Sequence, residues 1–128
     1  MESSVVFRPI KKRAEIDLIF NSGQKIKMNH FLIKFLFLPE ISDGAGIHYL
    51  LAVPKKKTPL AISRNRIKRI MREALRSNRE VATLLKRPIG MAFIYSGPSD
   101  IDFKEVSELF ALALQKIVDS ECREFSKE

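Results

Sequence analysis

Between positions 64 and 79, Arg64, Arg66, Lys68, Arg69, Arg72, Arg76 and Arg79 stand against one acid, Glu73. Cations this dense suit an array of phosphates, since each Arg can bridge two phosphate oxygens through parallel hydrogen bonds. Asn65 lies among them, and its amide can read a base edge or a ribose 2′-hydroxyl. A merely solvated face usually mixes signs and forms i,i+4 pairs. Like charges gathered here repel one another and cost stability until a partner neutralises them.

Residues for covalent chemistry are scarce. His30 and His48 are isolated and belong to no HxxxH, CxxC or HExxH spacing. There is no GxGxxG, Walker loop or GxSxG. Asp100 and Asp102 are close in sequence, but Asp102 reads as a helix cap, so neither a catalytic dyad nor a protein metal site is expected. His48 reads as a structural or edge residue. Cys122 is the single cysteine, which excludes an internal disulfide and leaves it as a small apolar filler. Phe20, Phe31, Phe35, Phe37 and Tyr49 offer rings for base stacking. Strand positions read mainly as core, which makes Phe20 the best candidate.

The basic segment needs a rigid support, and its own sequence supplies one. Ile67, Ile70, Met71, Ala74 and Leu75 recur at i, i+3, i+4, i+7, i+8, one stripe of an α-helix. At about 100° per residue, Arg69, Arg72, Arg76 and Arg79 fall within ~40° of Asn65 and Lys68 within ~60°, opposite the stripe. Thr58 is expected as N-cap, with Pro59 at the first helical position and Asn78 near the end. Ile62 lies off the stripe, so the first turn is expected to be irregular or to pack sideways.

Elsewhere the charge differs. Residues 55–87 hold twelve Lys/Arg and two acids, a balance of +10, and the rest holds eleven and thirteen, a balance of −2. Positive charge confined to one third of a chain argues for a polyanionic partner. The 128 residues, 45% hydrophobic and 30% charged, suit a single domain over 1–128, with residues 1–7 and 121–128 expected as loose termini. No signal peptide is visible, and no apolar run reaches the ~20 residues of a membrane span. Binding to a membrane surface is disfavoured, because the greasy helix side reads as core and Trp is absent. A soluble, cytoplasmic, reduced protein is expected.

In chain order, residues 10–22 read as a short helix with Ile16, Ile19 and Phe20 on one face and Gly23 as C′. Lys11, Lys12 and Arg13 sit at its N-terminal end against the helix dipole, tolerable on a surface and expected where phosphates approach. Residues 25–28 read as a short strand, and 30–38 (HFLIKFLFL) as a strand buried on both faces. A turn over 39–46 then leads to a strand at 47–53, so 30–53 is expected as a hairpin. After the basic helix come a connector over 79–87 anchored by Leu84 and Leu85, and a strand at 89–95. A final helix opens on Asp102-Phe103-Lys104-Glu105, a capping box. The order αβββαβα describes an α/β (α+β) two-layer sandwich, and the basic helix could cross between parallel strands.

The run Arg64-Asn65-Arg66-Ile67-Lys68-Arg69-Ile70-Met71-Arg72-Glu73, preceded by Ala61-Ile62-Ser63, resembles the RNR signature of the bacterial ribonuclease P protein subunit. Phe20-x-x-Gly23, the strands leading to Val53-Pro54-Lys55-Lys56, and the strand and helix after Arg87 follow that family's order, so the resemblance covers roughly residues 8–120. It implies a mixed sheet with a left-handed βαβ crossover, against the usual hand. It also implies an RNA-based endoribonuclease in which the partner RNA, with Mg²⁺, cleaves precursor tRNA at its 5′ end and the protein assists. Carried over, Arg64, Asn65, Arg66, Lys68, Arg69, Arg72 and Arg76 would face the catalytic RNA. Phe20, Phe31, Lys34, Lys12, Arg13, Lys55 and Lys56 would line a cleft for the 5′ leader. No membrane contact and no obligate protein partner are implied.

Two departures stand out. Ile16 and Lys34 occupy positions where relatives often carry aromatics, which would replace some stacking by charge. The loop Lys57-Thr58-Pro59-Leu60 lacks the usual glycine and is one residue longer. Composition alone leaves two other classes open: a non-catalytic RNA-binding module, such as a ribosomal protein or RNA chaperone, and a DNA-binding protein using the basic helix in a major groove.

Overall fold

Five short strands pair into one sheet, and helices pack on both of its faces. In the computed structural model, residues 7–37, 47–56, 58–84, 89–98 and 100–126 are described, apart from the side chains of Arg8 and 122–126. The strands are β1 (Phe7–Pro9), β2 (Gln24–Met28), β3 (Phe31–Phe37), β4 (Ile47–Ala52) and β5 (Ile89–Tyr95). The helices are α1 (Arg13–Ser22), α2 (Ala61–Ser77), α3 (Arg79–Ala82) and α4 (Phe103–Ser126). With the three-residue β1 and four-residue α3 set aside, this is the expected αβββαβα order.

The sheet runs β1-β4-β5-β3-β2. β4 is parallel to β1 and β5, while β3 is antiparallel to β5 and β2. The α/β crossover is therefore present, with α2 and α3 joining the neighbouring parallel strands β4 and β5. The expected hairpin over 30–53 is not formed, because β5 lies between β3 and β4 and pairs with both. β5 is the most apolar strand, and the sheet centre is where a strand can bury both faces. The turn expected over 39–46 lies outside the described residues.

Pleat alternation sorts the side chains. Phe31, Ile33, Phe35, Ile47, Tyr49, Ile89, Met91, Phe93 and Tyr95 face α2 and α4 and build the main core with Ile67, Met71, Leu75, Phe110, Leu114 and Ile117. The other sheet face meets α1, where Ile10, Ile19 and Ala92 are buried and Ile16, Phe20, Leu36 and Leu50 pack around them. α1 is set at both ends. Ile10 N–H donates to the Tyr49 carbonyl at 2.8 Å, and Gly23 N–H closes the helix on Ile19 at 2.9 Å. Gly23 is extended rather than left-handed, so its value is close approach: a Cβ there would collide with the Ile19 carbonyl and lie 2.9 Å from that of Phe35.

Several local expectations change. Phe7–Pro9 is ordered as β1 along β4 rather than loose, because its backbone completes the open edge of that strand. α4 continues through Ser126, and Glu121 is buried, so the C-terminal segment is helix well past 121. Leu60, not Thr58, is the N-cap of α2, and Pro59 precedes the helix. Thr58 is instead buried, its N–H bonded to the Pro54 carbonyl at 3.2 Å. Leu84 is half exposed and anchors nothing, its task falling to buried Ala82, whereas Leu85 lies outside the described residues.

Candidate nucleic-acid interface

α2 buries its apolar stripe as expected: Ile67, Ile70, Met71, Ala74 and Leu75 all enter the core. Three sets of polar contacts then fix the helix. At its end, Asn78 Nδ2 donates to the Ala74 carbonyl at 2.8 Å and to the Ser107 carbonyl at 3.1 Å, while the Ser77 and Ser107 hydroxyls meet at 3.0 Å. Near its start, Arg66 donates to the Ile101 carbonyl at 3.2 Å. Arg64 folds back onto the preceding loop, donating to the carbonyls of Thr58 at 3.1 Å and Pro59 at 2.8 Å. These contacts tie α2 to α4, to the loop just before α4 and to the loop that leads into α2.

The outward face carries the charge. Asn65, Arg66, Lys68, Arg69 and Arg72 line one shallow concavity together with Ile62. Arg76 lies exposed one turn further on, where a cation also suits the helix C-terminus. Among the described residues, Lys68, Arg69, Arg72 and Arg76 have no carboxylate partner. Arg64 differs from expectation: part of its guanidinium is committed to the loop carbonyls, so it holds the start of the helix as well as adding charge.

The second expected site is partly assembled on the α1 face of the sheet. Lys34 Nζ donates to the Phe20 carbonyl at 3.0 Å and sits 5.4 Å from the centre of its ring. Phe31 does not join them. It points to the opposite face, buried against Tyr95 at 4.8 Å and Phe110 at 5.3 Å between ring centres, because residues 31 and 34 differ by an odd step on a pleated strand. Lys12 is exposed at the N-cap of α1, and Arg13 is exposed with a loose 3.7 Å contact to Asp17. Lys55 and Lys56 are exposed just beyond β4.

Strand register adds residues that sequence reasoning passed over. Lys27, Leu32, Ile94 and Ala52 stand side by side across β2, β3, β5 and β4, and the next row is Lys25, Lys34, Ala92 and Leu50. α1 covers Ala92 and Leu50, whereas Leu32, Ile94 and Ala52 are partly exposed and belong to neither core. An apolar strip thus runs beside α1, with Lys25, Lys27 and Lys34 at one end and Lys55 and Lys56 following the other. The signal was available: period-two alternation from Lys34 reaches Leu32, and Lys25 and Lys27 share one side of β2.

Little else resembles a reaction centre. Among the described residues, no three His, Cys, Asp or Glu side chains lie together as a metal site. His48 is buried in β4, while His30 stands at the far end of the sheet beside Tyr95, 6.1 Å between ring centres. Burial pushes the Tyr95 hydroxyl above its usual value of 10.0, with Asp100 and Glu105 adding to the effect. No helix among the described residues is long and apolar enough to cross a membrane.

The sequence model of the family described as Ribonuclease P matches residues 7–118, which spans both the α1 face and the α2 face. The chain belongs to the Ribonuclease P family. Ribonuclease P is a metal-dependent ribonucleoprotein. A ribonuclease P protein component from Chlorobium phaeobacteroides is 36% identical over 75 residues, covering 56% of this chain and 50% of that protein. One from Desulfovibrio desulfuricans is 29% identical over 98 residues, covering 77% and 73%. The matched stretch thus spans half the length of the Chlorobium relative. The RNase P protein from Thermotoga maritima superposes with a TM-score of 0.68 at 22% identity, covering 85% of this chain and 96% of that one. The RNase P protein from Staphylococcus aureus gives 0.63 at 22%, covering 85% and 93%. At these identities the likeness shows the fold, which is the one built above from the strand pairing.

Proposed function

We propose that this protein is the protein subunit of ribonuclease P, docking on the catalytic RNA through α2 and holding the 5′ leader of precursor tRNA beside α1. The observation that carries the reading is the α2 face: Asn65, Lys68, Arg69 and Arg72 gathered without acids on a helix tied at both ends. Guanidinium groups on a fixed helix meet phosphates with little further loss of side-chain freedom, and Asn65 adds an amide for a base edge or 2′-hydroxyl. The strip of Leu32, Ile94 and Ala52 beside Phe20, flanked by lysines, suits single-stranded RNA, which presents apolar base faces on a charged backbone.

Hydrolysis of the phosphodiester is assigned to the RNA with Mg²⁺. The protein's part is electrostatic and positional: it neutralises phosphates of the folded RNA and holds the leader in line with the scissile bond. Lys12, Arg13, Lys55 and Lys56 supply charge around the leader, Lys34 presents its ammonium beside Phe20, and Phe31 serves the core. In this reading the protein works in the cytoplasm beside its RNA, without an obligate protein partner.

Reconstitution tests the reading. Added to a bacterial ribonuclease P RNA at low Mg²⁺, the protein is expected to stimulate 5′ processing of a leader-bearing tRNA precursor. Binding without stimulation would instead favour a plain RNA-binding module such as a ribosomal protein or RNA chaperone.

A further inference from the structure

Ile62 is the residue that neither the core nor the cation face explains. It lies in the first turn of α2, off the apolar stripe, and is 84% exposed. It does not pack sideways. At helical spacing it falls ~60° from Asn65, and it stands i,i+3 to Asn65, i,i+4 to Arg66 and i,i+7 to Arg69. With Asn65, Arg66, Lys68, Arg69 and Arg72 it lines the concavity on the outer face of the helix. Leu60, also exposed, is the N-cap and is not part of that concavity. One exposed aliphatic residue is ordinary on a protein surface. An aliphatic residue ringed by an amide and four cations, on a face otherwise stripped of apolar groups, is a different setting.

Cations around Ile62 would bring phosphates to its flanks. The Ile62 side chain cannot bond a phosphate, so its favourable partner must be an apolar part of the same polyanion. In a paired A-form helix the base faces are stacked and hidden; in loops and bulges they are splayed out. We infer that Ile62 seats an unstacked nucleobase of the RNA bound by α2, while Arg69, Arg72 and Lys68 hold the flanking phosphates. The face then selects an irregular RNA element over a continuous duplex. This rests on the reading that the α2 face docks on ribonuclease P RNA.

The test compares Ile62→Ala with the unchanged protein on two RNAs: a bacterial ribonuclease P RNA and a fully paired RNA hairpin. Alanine suits a helix better than isoleucine does, and the site is exposed, so folding is not at stake. The expected result is about five- to tenfold weaker binding to ribonuclease P RNA, roughly 1–1.4 kcal/mol. The log-affinity against log-salt slope should be unchanged, since no phosphate contact is lost. Hairpin binding should not change, and Ile62→Leu should restore most of the affinity. Equal affinity of Ile62→Ala and the unchanged protein for ribonuclease P RNA would overturn the inference, and so would an equal loss on both RNAs. If the unchanged protein itself fails to prefer ribonuclease P RNA over the hairpin, the docking reading falls as well.

Discussion

Lys34 and Phe20 set the chemistry of the proposed leader cleft more than any other pair. An ammonium over an aromatic face is held by the ring's quadrupole, and here it is also bonded to the backbone of the same residue. The ring is therefore partly covered by charge, and a leader nucleotide docking there would meet a cation as well as the ring. Phe20→Ala is expected to weaken binding of leader-bearing precursor by roughly tenfold, about 1.4 kcal/mol for one lost base contact. It should leave mature tRNA nearly unaffected. Fluorescence-anisotropy titrations of both RNAs with the reconstituted holoenzyme would check this, and an equal loss on both would assign Phe20 to packing. Tyr95 offers a second test at this scale. Its raised value means that the native state resists deprotonation, so the stability it contributes is present below about pH 10 and lost as pH rises through the folded-state value. Tyr95→Phe should abolish the later tyrosine step in an ultraviolet titration and flatten the loss of stability above pH 10.

At the level of elements, α2 works because it is anchored from within. Met71 is fully buried beneath the cation face, and truncation to Ala should cost about 2–5 kcal/mol through lost burial and the cavity left behind. Denaturant unfolding would show that cost as a lower midpoint, while RNA affinity at temperatures where the variant remains folded should change little. The helix and its outward face were legible in the sequence because a 3.6-residue stripe leaves one solution for which side is buried. The start of the helix was not, because Thr58 and Pro59 satisfy the local rules for capping while Arg64 binds their carbonyls from inside the next turn. Nor was the position of β5 between β3 and β4, since pairing between strands distant in sequence leaves no local signature. Phe31 came to the cleft through the resemblance alone, and the pleat sends it to the face opposite Lys34, into the core beside Phe110.

For the molecule as a whole, the separation of charge is the organising fact. The sequence segment 55–87 carries a balance of +10 while the rest is slightly acidic, and the fold presents much of that excess on one side of one helix. A field of this shape steers a polyanion toward α2 and fixes its orientation before any base contact is made. The proposed leader cleft lies on the opposite face of the sheet from the helices α2 and α4, so the two proposed RNA surfaces would not compete for one site. The central claim, that α2 is the docking surface for ribonuclease P RNA, is tested most directly by the salt dependence of binding. Replacing Arg69 and Arg72 together with Ala removes two phosphate contacts, so the slope of log affinity against log salt should become shallower by roughly 1.4–1.8. An unchanged slope would contradict the account and leave the face merely solvated.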